Sequence, residues 1–195
     1  MNVPPPRINP EIFRVQLGLL DEFLHHFVYR RVLEGQLEAN VEESANLPAF
    51  WSWTSNSHIK CAVNAWCMVF GGDNENNRTH WKEVFSNDET TIRRFRDSIT
   101  QDLGMDILEW GEYHASVKSF RDNYTAHRHD QPPAVPLLDT AKDIVLLYDE
   151  WVREEIKPHS MEFPLLRDDL GSLYQAAENE ISPAIEQAKL RFRRE

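Results

Sequence analysis

The chain has 195 residues, a hydrophobic fraction of 41% and a formal net charge of -11. That length suits one domain around one core, with six tryptophans and ten phenylalanines to fill it. The acidic balance excludes a general nucleic-acid coat, which holds phosphates by charge neutralisation, but leaves room for one local basic patch.

The first ten residues, MNVPPPRINP, form a proline-rich lead with no basic start and no apolar run, so no signal peptide is expected. No run of about 18 apolar residues occurs, so no membrane span is expected either. Phe13, Leu17, Leu20, Leu24 and Phe27 then step by four and three, the mark of a long amphipathic helix. A second helix is predicted over about residues 49–70, with Ile59, Ala62, Val63, Trp66 and Phe70 inward and Gly71-Gly72 as its stop. A polar loop from Asp73 to Asn77 leads to a short helix around His80, Trp81, Val84 and Phe85. Ser86 with Glu89 fits a capping box for the next helix, which runs to Gly104. Asp106 and Glu109 open another. Its stripe of Trp110, Tyr113, Val117, Phe120, Tyr124 and His127 is stopped by Pro132-Pro133 and Pro136. Leu138, Ala141, Val145, Tyr148 and Val152 mark a further helix, ended at Pro158. The tail, about 163–195, is charged and helical, with Pro183 kinking or restarting it and Ser182 able to cap the new turn. The organisation expected is all-α: a lead over 1–10, an antiparallel helical bundle over 11–157, and a helical C-terminal extension over 158–195 packed on or near the bundle.

Chemistry concentrates between Arg121 and Asp130. The run Arg121-Asp122-Asn123-Tyr124-Thr125-Ala126-His127-Arg128-His129 holds a permanently charged guanidinium fork and two imidazoles. On an ideal helix Arg121 and His127 lie about 120° apart and flank one groove. The cysteines, Cys61 and Cys67, fit neither a CxxC redox motif nor a zinc pair, and read as reduced core residues of a cytoplasmic protein. Glu22 with His25 has the spacing of a di-iron bundle but no second such pair, so no metal or other cofactor is expected. Arg93-Arg94-x-Arg96 reads as a solvated helix face, and Trp51 with Trp53 as core or dimer interface.

An arginine followed by a polar residue and, after five intervening residues, a histidine at the end of a bundle helix resembles the motif of the HEPN superfamily. The fuller run Arg-Asp-x-x-x-Ala-His looks like its abortive-infection (AbiU-like) branch, as does His80-Trp81-Lys82 upstream, although His80-Trp81 also reads as a structural plug. The resemblance covers about residues 10–157. It implies a HEPN-like bundle that pairs as a homodimer with two motifs facing one cleft, and a metal-independent endoribonuclease or RNase-type toxin of a prokaryotic defence or toxin-antitoxin system. RNA would be the substrate, DNA would not, and an antitoxin protein is a possible partner. Within it His127 would act as general acid or base and Arg121 would hold the phosphate, with Asp122 orienting either. Asn123, Tyr124, Arg128 and His129 would bind or support. Two alternatives stand beside it: a non-catalytic HEPN-like binding module, and a metal-dependent four-helix-bundle enzyme.

Overall fold

The computed structural model describes residues 8–38, 49–86, 88–126, 134–156 and 164–192. Among them are six α-helices and no strand: α1 (Pro10–Glu38), α2 (Ala49–Phe70), α3 (Glu89–Leu103), α4 (Ile107–Phe120), α5 (Leu138–Ile156) and α6 (Leu166–Phe192). A 3₁₀ helix (Trp81–Phe85) precedes α3, and a π-helical turn (Arg121–Ala126) continues α4. The all-α bundle expected from the hydrophobic spacing is what the chain forms. Among the described residues no helix is long and apolar enough to cross a membrane.

Helices α1, α3 and α4 start where local side chains provide partners for the orphan amides of a first turn. Asn9 Oδ1 accepts from Glu11 N (3.1 Å) and Ile12 N (3.3 Å), and Pro10 takes the first helical position, where a missing N–H costs nothing. The Asp106–Glu109 capping box of α4 forms in both directions. The start of α3 departs from expectation. Ser86 is left-handed (φ 50°) and closes the 3₁₀ helix, while Asp88 caps α3 by accepting from Thr91 N at 3.1 Å. Helical geometry begins at Glu89, so that residue sits at the first position of the helix and cannot reach back as a capping-box glutamate. Gly104 (φ 66°) ends α3 as expected.

The predicted stripe of α1 is buried from Phe13 to Phe27, and the five inward residues assigned to α2 are all buried. These two helices pack along each other, with α6 laid on α1 and α5 closing over α3. Tyr148, fully buried, stands in the middle, edge-on to Phe13, Phe70 and Phe95. Its hydroxyl donates to Gln16 Oε1 (2.7 Å), and Gln16 Nε2 donates to the Thr79 and His80 carbonyls (3.1 and 3.0 Å). A buried polar network that is satisfied at every member fixes position strongly, and this one pins residues 79–81 to the core. His80 and Trp81 are themselves buried (2% and 4% exposed), as a structural plug requires. The tail joins the same core through Ala177, Ile181 and Ile185. It is one helix with Pro183 inside it, not two, and Ser182 Oγ accepts from Gln36 Nε2 of α1.

Candidate functional site

Where α2 ends, the chain must turn sharply beside α4. A side chain at Gly71 would place its Cβ 2.2 Å from the Cys67 carbonyl oxygen and 3.2 Å from an Arg121 nitrogen, so only glycine fits. His114 of α4 locks the turn, its Nε2 lying 2.5 Å from the Phe70 carbonyl oxygen and 3.1 Å from that of Gly71. The imidazole packs against both the Trp66 and Trp110 rings. The last carbonyls of α2 are thereby satisfied by a side chain rather than by water.

Beyond this turn the loop after α2 and the end of α4 enclose an open cleft of about 480 Å³. Lys118 and Arg121 line it as cations, together with Cys67, Asp122 and the amides of Asn64, Asn74, Asn76 and Asn77. Arg121 and Lys118 are three residues apart, so they share one helix face. Asp122 Oδ1 accepts from both Nε and Nη2 of Arg121 at 2.7 Å. Burial pushes the Cys67 thiol up to about 12, against the pull of the neighbouring Arg121 guanidinium, so the sulfur stays protonated and is no nucleophile.

The motif arginine therefore faces a cleft, with Asp122 beside it. Asn123 donates from Nδ2 to Ser119 Oγ (3.1 Å), and the Tyr124 ring packs on Phe120 with the Lys60 ammonium 4.9 Å above it. His127, Arg128 and His129 lie outside the described residues. The backbone widens to a π turn from Arg121 to Ala126. Such turns within helices recur at functional sites.

Lys118 and the four cleft asparagines escaped the sequence reading. The signal for Lys118 was its three-residue spacing from Arg121; Asn74, Asn76 and Asn77 were read only as a polar loop, and Asn64 only as part of the second helix. Of the other constellations, Arg94 is tied to Glu155 of α5 and lies over Trp151, while Trp53 is 70% exposed and so does not belong to the core. His25 lies 2.9 Å from the Asp21 carbonyl oxygen and is exposed. Among the described residues no group of three or more His, Cys, Asp or Glu is placed to hold a metal ion. Searches against protein-family models, curated proteins and solved structures find no match to this chain.

Proposed function

We propose that this chain is a HEPN-like, metal-independent endoribonuclease, working as a cytoplasmic homodimer in a prokaryotic defence or toxin-antitoxin setting. The observation that supports it is the convergence of Lys118 and Arg121 on one cleft, with the Arg121 fork oriented by Asp122. Two adjacent cations suit a phosphodiester, and an oriented guanidinium suits charge that grows on phosphoryl oxygens during reaction. The amides around them offer donors and acceptors to a nucleotide.

The chemistry follows from these groups and the motif histidine. His127 takes the proton of a ribose 2′-hydroxyl, and the oxygen attacks the adjacent phosphorus. The bond from phosphorus to the 5′-oxygen breaks, and that oxygen leaves with a proton supplied by a general acid, for which the second motif of a dimer is placed by the resemblance. The products are a 2′,3′-cyclic phosphate and a 5′-hydroxyl. A neutral-range imidazole suits both proton transfers. Arg121 and Lys118 hold the phosphate throughout.

One observation favours the second reading, a non-catalytic binding module: Asp122 offsets the charge of Arg121. The two readings separate in one assay. The enzyme reading expects RNA cleavage in EDTA that falls by roughly 10²-fold in His127→Ala. The module reading expects RNA or protein binding without cleavage.

A further inference from the structure

The outer face of α2 is unlike the rest of this acidic molecule. Phe50, Trp53, Ser57, Lys60, Asn64 and Met68 recur at intervals of three and four, and all six are exposed. They form a single stripe about 27 Å long at about 1.5 Å per residue. Phe50 and Trp53 hold two large rings in water, 60% and 70% exposed. Lys60 follows, its ammonium over the Tyr124 ring of the π turn. Asn64 and Met68 then line the cleft of Lys118 and Arg121 itself. The helix carries no aspartate or glutamate in its 22 residues, although the chain has 32 acidic residues.

We infer that this face is the track along which single-stranded RNA enters the cleft, with bases stacked on Trp53 and Phe50 and the backbone passing Lys60. The inference rests on reading the cleft as an RNA site and deepens it by naming the form of the substrate. Stacking rings interleaved with cations are how proteins hold unpaired strands, whose bases expose their faces; a duplex keeps those faces covered. The missing carboxylates matter as much as the rings, since a single one beside Lys60 would repel the phosphates it attracts. Charge also chooses between occupants. A second copy of α2 laid on this face brings Lys60 no carboxylate, whereas RNA brings it a phosphate. The stripe is continuous with the cleft, so a strand held on it leads directly to Arg121.

The test uses the full chain and a fluorescein-labelled, 2′-O-methylated oligouridylate, which lacks the hydroxyl that cleavage needs, with binding read by fluorescence anisotropy. Trp53→Ala should weaken binding at least about fivefold, the loss of one stacking platform. Lys60→Ala should lower the salt slope of binding by about 0.7, one phosphate contact on a single strand. A duplex of the same length should bind more weakly than the single strand. If both variants bind as the parent does while Arg121→Ala weakens binding, the cleft reading stands and the track is wrong. If the parent binds no RNA, the cleft reading falls and the track falls with it. If Trp53→Ala instead converts a dimer to a monomer in light scattering with affinity unchanged, the face belongs to a second copy and the inference is overturned.

Discussion

Arg121 illustrates how one side chain takes its role from its neighbours. Asp122 fixes the plane of its guanidinium, the bare Gly71 backbone lets a nitrogen come close, and Lys118 doubles the positive charge one helical turn away. If Arg121 and His127 act as one unit, Arg121→Ala and His127→Ala each lose roughly 10²-fold in cleavage, and the double variant is scarcely worse than either. His129→Ala should cost much less, and single-turnover rates on the four proteins check all of this. The histidine of the plug makes a separate prediction. Burial pushes the His80 imidazole down to about 4, with the Asp73 carboxylate opposing the shift. An unfolded chain takes up that proton near 6.5, so between about 6.5 and 4 it binds more protons than the folded one. Stability from this group is complete above that window and falls on acidification, by up to about 1.4 kcal/mol per pH unit. Urea unfolding across this range should show the slope, and His80→Gln should flatten it. Residue by residue, the sequence marked Arg121 because a dense cationic run is visible in one dimension. Asn64 was hidden because it belongs to the cleft only once α2 and α4 lie side by side, and Lys118 offered only its three-residue spacing from Arg121.

At the level of elements, the hydrophobic periodicity of α1 and α2 was legible because each helix buries one continuous stripe. The ends were legible only where one cap had no rival. Gly104 and the Asp106–Glu109 box stood alone, whereas Ser86 and Asp88 competed, and the carboxylate two residues on captured the α3 amides. The π turn had no signal in the spacing at all. Two changes test how elements hold the site. Gly71→Ala must displace the end of α2, because the clash is with backbone rather than with a flexible side chain. We expect a lower melting temperature and a parallel loss of RNA binding, both read on the purified variant. Asp149 of α5, fully buried, accepts from Arg153 Nε at 2.6 Å and from Leu166 N at 2.9 Å, tying the start of α6 to the bundle. Burial holds its carboxyl above the usual range while Arg153 pulls it back. Arg153→Ala strands that carboxylate and should cost about 3 kcal/mol or more in denaturant unfolding. The same change should leave the cleft chemistry intact in protein that remains folded.

On the scale of the whole molecule, the central tension is between a net charge of -11 and the RNA substrate proposed for the cleft. It is resolved by placement. The α2 helix carries no carboxylate of its own, and Lys118 stands one helical turn from Arg121, whose charge Asp122 partly offsets, so a local basic patch rather than the net charge would meet a phosphate. Assembly belongs to this scale too. A two-fold dimer that brings two 121–130 segments to a shared cleft should bury more than about 1,000 Å², and light scattering at micromolar concentration should give twice the chain mass. Salt should weaken binding steeply, in keeping with a backbone-led grip. The most direct test of the account is the chemistry of the cut ends. RNA is incubated with the purified chain in excess EDTA, and the fragments are analysed by mass spectrometry. The account predicts cleavage that yields 2′,3′-cyclic phosphate and 5′-hydroxyl ends and is lost in His127→Ala. Ends bearing 3′-hydroxyl and 5′-phosphate, or cleavage that appears only when a divalent ion is restored, would contradict it.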